Sequence, residues 1–129
     1  MKPENRCMGL LAGITLMAFS LLASSPGRGA PSAKVDQTIQ YLISYVSSSE
    51  MTFIRNAREY SAGEAAEHMS KKYQHFKGDI ETPDDFIVRC ATKSLLTGKP
   101  YLVVNKRGVE SRTSNWLKTE LTVYRARNR

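Results

Sequence analysis

Apolar residues at Val35, Ile39, Leu42, Ile43 and Val46 recur at steps of three and four. That spacing predicts an amphipathic helix from Lys34 to Ser48, with Tyr41 and Tyr45 one turn apart on its flank. The serine run Ser47 to Ser49 ends it. Met51 to Ile54 is short, apolar and β-prone, and Arg55-Asn56-Ala57-Arg58 then reads as a turn returning through Glu59 and Tyr60. Asn tolerates the left-handed backbone such a turn needs, whereas Ala does not welcome it. Ser61 with Glu64 three residues on forms a capping box. The helix it opens runs to about Phe76 and buries Ala62, Ala65, Ala66, Met69, Tyr73 and Phe76, with Gly78 as its stop.

Thr82-Pro83-Asp84-Asp85 is a second helix start: a capping threonine, a proline where the missing N–H costs nothing, and two acids at the positive end of the helix dipole. Phe86, Ile87, Cys90 and Ala91 are its buried stripe, and the helix ends before the turn at Thr97-Gly98-Lys99-Pro100. Tyr101 to Val104 has the length and β-branching of a central strand, and Lys106-Arg107-Gly108 turns it back towards Val109 to Arg112. Thr113 or Ser114 then caps a last helix carrying Trp116, Leu117, Leu121 and Tyr124. The expectation is an α+β fold: about four helices packed on a small two- to four-stranded antiparallel or mixed sheet.

The chain has 129 residues, but its first 33 read as something other than fold. Lys2 and Arg6 precede an uncharged run from Met8 to Ala23, and Ser24, Ser25, Pro26 and Gly27 close it. That is the layout of a secretory signal peptide followed by a spacer, with cleavage expected between Ala23 and Ala33. The run is shorter than the roughly 20 apolar residues a membrane-spanning helix needs. Residues 34–129 are then a single domain, expected in the periplasm or secreted. Cys7 leaves with the leader, so Cys90 is the one remaining thiol and the fold holds without an internal disulfide.

The formal net charge is +7, about +5 of it beyond Ala33. From Lys106 onward there are seven basic residues (Lys106, Arg107, Arg112, Lys118, Arg125, Arg127 and Arg129) against Glu110 and Glu120. Such an end can approach an anionic lipid or polymer, although a solvated basic face is the plainer reading. Export and the lack of an interleaved aromatic-basic motif argue against a nucleic-acid partner.

The blocks F-I-R-N (Phe53 to Asn56), E-A-A-x-H (Glu64 to His68), I-x-T-x-x-x-F-I (Ile80 to Ile87), T-G-K-P-Y (Thr97 to Tyr101) and W-L (Trp116, Leu117) resemble the YfeK-like family of small exported bacterial proteins. The resemblance covers nearly all of residues 34–129. It implies export in a Gram-negative-type cell and a domain of unknown function, with no catalytic residues to carry over. Ala57 departs from the family pattern, which usually has Gly after Arg-Asn.

Three constellations carry candidate chemistry. Glu64, His68 and His75 share a helix face, yet histidines seven residues apart lie about 10 Å from each other along the axis, so no metal is expected. No cofactor is expected either. His68 with Glu64 has the spacing of an acid/base pair, the basis of an alternative reading as a small envelope hydrolase or transferase. No nucleophile is identifiable beside it, because Cys90 lies on an apolar stripe where free cysteine is inert core, and a structural His68 bonded to a backbone carbonyl weighs more. Arg55, Asn56 and Tyr60 crowd the hairpin and the entry to the second helix, where a guanidinium can hold an anionic group. The bland reading is an ion pair from Arg55 to Glu59, Asp79 or Asp84.

The leading expectation is a non-catalytic binding or accessory domain for a protein or an anionic envelope component, with Arg55, Asn56, Tyr60, His68 and Lys99 as its surface. A further alternative is a membrane-surface accessory, held by an uncleaved leader and helped by the basic C-terminus.

Overall fold

The structure is a computed structural model and describes residues 30–129. The leader and most of the spacer inferred from sequence lie outside the described residues. Helix α1 spans Ala33–Ser48, its N-terminus capped by Ser32, and buries Ile39, Leu42 and Val46. The hairpin follows as β1 (Thr52–Arg55) and β2 (Arg58–Tyr60). Both turn residues lie in the left-handed region, Asn56 at φ 52° and Ala57 at φ 64°. Two left-handed residues in a row match the right-handed twist of the flanking strands, and the register, with Arg55 opposite Arg58, leaves no other residue to make the turn.

Helix α2 (Ala62–Phe76) opens with the capping box expected from Ser61 and Glu64, and a short 3-10 turn at Lys77–Asp79 follows it. Helix α3 (Pro83–Cys90) opens with a second box, Thr82 with Asp85. It ends early because the chain is claimed by the sheet: the Tyr101 N–H donates to the Thr92 carbonyl, and Lys93 pairs with Pro100. Strands β3 (Leu102–Val104) and β4 (Glu110–Arg112) complete one antiparallel sheet in the order β2-β1-β3-β4.

Helix α4 (Thr113–Arg127) leaves β4 without a side-chain cap, contrary to the expectation that Thr113 or Ser114 supplies one. The Thr113 N–H donates instead to the Tyr101 carbonyl at 3.0 Å. Its backbone is thus satisfied by the residue that leads into β3, and its side chain is turned fully into the core.

The helices cover one face of the sheet. Phe53 and Val103, opposite each other on the two central strands, meet Met69, Tyr73, Phe86, Ile87, Leu117 and Leu121 in a single core. Each such side chain contributes about 1.5–3 kcal/mol on burial, before chain entropy is counted. Two polar ties fix the helices laterally: Tyr73 Oη donates to Asp36 at 2.6 Å and Tyr41 Oη to Glu120 at 2.5 Å. Of the basic residues near the C-terminal end, Lys106 pairs with Glu50, Arg125 with Asp84 and Arg127 with Glu120. Among the described residues no helix is long and apolar enough to cross a membrane.

Candidate functional site

Strand alternation sets the site. Phe53 and Val103 face the helices, so Arg55, two residues further along β1, and Tyr101, two residues before Val103 at the entry to β3, face the same way. Tyr60 joins them, since it pairs with Phe53 across β1 and β2. Helix α2 lies over this end of the sheet and brings His68 and, one turn later, Lys72. Between sheet and helix is a small pocket of about 220 Å³. Arg55, Tyr60, Glu64, Glu67, His68, Lys71 and Tyr101 supply its polar lining, and Phe53, Ala65 and Met69 its buried apolar part.

Arg55 Nη1 lies 2.7 Å from Nδ1 and 2.9 Å from Nε2 of His68, and its Nη2 donates to Tyr60 Oη at 3.1 Å, with the guanidinium also 4.7 Å from the Tyr60 ring centroid. His68 Nε2 lies 3.1 Å from Tyr101 Oη. Lys72 Nζ donates to the same hydroxyl oxygen at 3.3 Å and to the Lys93 carbonyl at 3.2 Å. Burial, reinforced by the charges of Arg55, Lys72 and Lys71, pushes His68 down to about 4. The imidazole is therefore neutral at pH 7. Lys72 is itself held below the usual lysine value, chiefly by burial. Burial also raises Tyr101, with Arg55 acting in the opposite sense.

A guanidinium only donates, and Arg55 Nη1 is within reach of both ring nitrogens, so whichever of them carries no hydrogen accepts from it. Tyr101 Oη accepts from Lys72 and lies within hydrogen-bond distance of Nε2. The Tyr101 residue is only 6 % exposed, and it lines the pocket. Arg55 has no carboxylate within salt-bridge distance among the described residues. The Arg55 guanidinium thus faces the pocket without a charged partner of its own among the described residues.

The sequence-level candidates divide. Arg55, Tyr60 and His68 come together, but Arg55 is not paired as the bland reading had it: Glu59 stands on the opposite sheet face, across from Ile54, and Asp84 is taken by Arg125. Asn56 turns away, its amide donating to Ser94 Oγ at 3.2 Å and accepting from Thr97 Oγ1 at 2.5 Å, which pins the hairpin to the loop before β3. Lys99 is exposed in that loop and does not line the pocket.

Glu64 lines the pocket rim, yet its carboxylate accepts from the Ser61 N–H at 2.8 Å and makes no hydrogen bond to His68. A histidine pressed by three cations and free of a carboxylate is a poor general base at neutral pH. His68 is held by the side chains of Arg55 and Tyr101 rather than by a backbone carbonyl. His75 is exposed against Phe76 at the far end of α2. Cys90 is fully buried, with burial pushing its thiol up to about 12. Among the described residues no three His, Cys, Asp or Glu side chains gather as metal ligands would.

Sequence reading missed Tyr101 and Lys72. Both carried a signal: Tyr101 is in phase with Val103, and Lys72 is a charge on the stripe of Ala65, Met69 and Phe76.

Residues 33–125 match a family model described as a family of unknown function (DUF5329). Over 89 residues, 68% of this chain and 74% of the relative, the sequence is 29% identical to the uncharacterized protein YfeK of Salmonella typhimurium strain LT2. No solved structure matches. The resemblance drawn from the sequence blocks is therefore shown, as a YfeK-like domain of unknown function.

Proposed function

This chain belongs to the family of unknown function DUF5329, and from its site we infer that it is a non-catalytic binding domain for an anionic group carried by a protein or by an envelope component. The observation that carries this is Arg55: a half-buried guanidinium at a pocket, without a carboxylate partner among the described residues, flanked by the hydroxyls of Tyr60 and Tyr101. A cation kept in that setting gains most from an anion brought by a ligand, through charge-assisted hydrogen bonds in a partly desolvated place.

In the same reading the protein acts outside the cytoplasm, supported by the charged start at Lys2 and Arg6, the uncharged run to Ala23 and the small residues after it. Mass spectrometry of the protein recovered from the periplasm tests this part. A chain beginning between Ser24 and Lys34 is expected, and an intact Met1 would contradict it.

Binding is tested by titrating the purified protein with acetate and with phosphate, followed by backbone amide NMR. Saturable shifts centred on Arg55, His68 and Tyr101, lost in Arg55→Ala, are expected. Shifts that are absent, or that persist in Arg55→Ala, would refute the reading.

A further inference from the structure

We propose that the pocket takes an α-carboxylate bearing an apolar side chain, as in a free amino acid or the C-terminal residue of a peptide; this rests on the anion-binding reading and specifies its ligand. Of the two cations at the lining, Lys71 is already paired with Glu67 at 2.8 Å, so Arg55 alone has charge to offer. One unpaired guanidinium matches one monoanion. A phosphate dianion would set its second charge against the Glu64 carboxylate on the rim.

The geometry of the donors suits a flat two-oxygen group. Arg55 keeps N–H groups beyond those directed at His68 and Tyr60, and its planar fork meets both carboxylate oxygens at once. The Tyr101 hydroxyl, on a nine-tenths buried residue that lines the pocket, places a neutral polar group beside it.

The rest of the lining fits what an amino acid carries next to its carboxylate. Phe53, Ala65 and Met69 are buried behind the polar rim and offer apolar contact to a side chain. Glu64 uses one oxygen on the Ser61 N–H, which leaves the other to accept from an amide N–H or an ammonium group. A volume of about 220 Å³ holds one residue and not a longer chain. Any preceding residues would leave through the open side.

Calorimetric titration of the purified protein with N-acetylleucine, leucine, leucine amide, N-acetylglycine and inorganic phosphate tests this. N-acetylleucine or leucine is expected to bind saturably, N-acetylglycine more weakly, and leucine amide not at all. Tighter binding of N-acetylleucine assigns the carboxylate to a peptide end; tighter binding of leucine assigns it to a free amino acid held also through its ammonium. Arg55→Ala is expected to weaken the better ligand about tenfold or more, and Tyr101→Phe, which removes one hydroxyl from a folded protein, about three- to tenfold. Binding of leucine amide as tight as leucine, or of phosphate tighter than either carboxylate, overturns the ligand class; tighter phosphate binding that is lost in Arg55→Ala does so while the anion reading stands. No Arg55-dependent binding of any anion removes both.

Discussion

Arg55 Nη1 lies 2.7 Å from Nδ1 of His68, so a permanent cation donates to a titratable ring with no carboxylate bonded to either among the described residues. The arrangement is stable only while the imidazole is neutral. Protonating His68 would turn a donated hydrogen bond into the approach of two like charges.

That relationship gives a stability prediction with a definite sign. A histidine whose folded pKa lies near 4, below its ordinary 6.5, holds its proton more weakly folded than unfolded. Protonation therefore favours unfolding: the contribution is present in full above pH 6.5 and is lost as pH falls through 4. Urea midpoints of the wild type are expected to drop faster between pH 6.5 and 4 than those of His68→Gln, which cannot take up that proton. The difference between the two proteins isolates His68 from the carboxylates that titrate nearby. Parallel curves would show that His68 is not depressed.

The same cause is checked directly by NMR titration of the two histidine rings. His68 is expected to titrate near 4, and Arg55→Ala to move it upward by removing the nearest cation. A His68 titrating at 6.5 in the wild type would contradict the geometry.

The hairpin turn offers a stabilising substitution. Ala57 sits at φ 64°, where an L side chain costs about 1–2 kcal/mol relative to glycine. Ala57→Gly is expected to gain about 0.5–1 kcal/mol in urea unfolding, part of the strain relief being returned as unfolded-chain entropy. Asn56→Ala is expected to lose about 1–3 kcal/mol, since it breaks the bonds to Ser94 and Thr97 and adds a second strained residue. If both changes are neutral, the turn is not the one described.

Cys90 is expected to resist thiol reagents in the folded protein at pH 8. It is fully buried, with a thiol pushed up to about 12. Peptide mapping after labelling should find it modified only when urea is added. Rapid labelling of the native protein would mean that α3 opens readily.

Much of the fold was legible because local chemistry and the global arrangement agree. The capping box at Ser61 and the threonine cap at Thr82 form as the sequence predicts, and the two strand runs, Met51 to Ile54 and Tyr101 to Val104, become the central pair. The start of α4 departs from the expectation because the Thr113 N–H is satisfied by the Tyr101 carbonyl just before β3, a long-range partner with no local signature. The site was half legible for the same reason. Helical spacing puts Glu64 and His68 together, but the capping box and the sheet compete for them, and Glu64 goes to Ser61 while His68 goes to Arg55 and Tyr101. Glu59 follows Arg58 in sequence, close to Arg55, yet the register sends it to the other face.

Whether Arg55 is kept for a ligand rather than for the fold is decided by urea unfolding of Arg55→Met beside the wild type at pH 7. Methionine retains an apolar stem and removes a half-buried cation that stands near Lys72 without a carboxylate partner among the described residues. A residue kept for a ligand gives a change within about 0.5 kcal/mol or a gain, as when a functional residue is held at some expense to stability. A loss of about 1–3 kcal/mol would mean that the bonds to His68 and Tyr60 support the fold, and Arg55 would then be architecture.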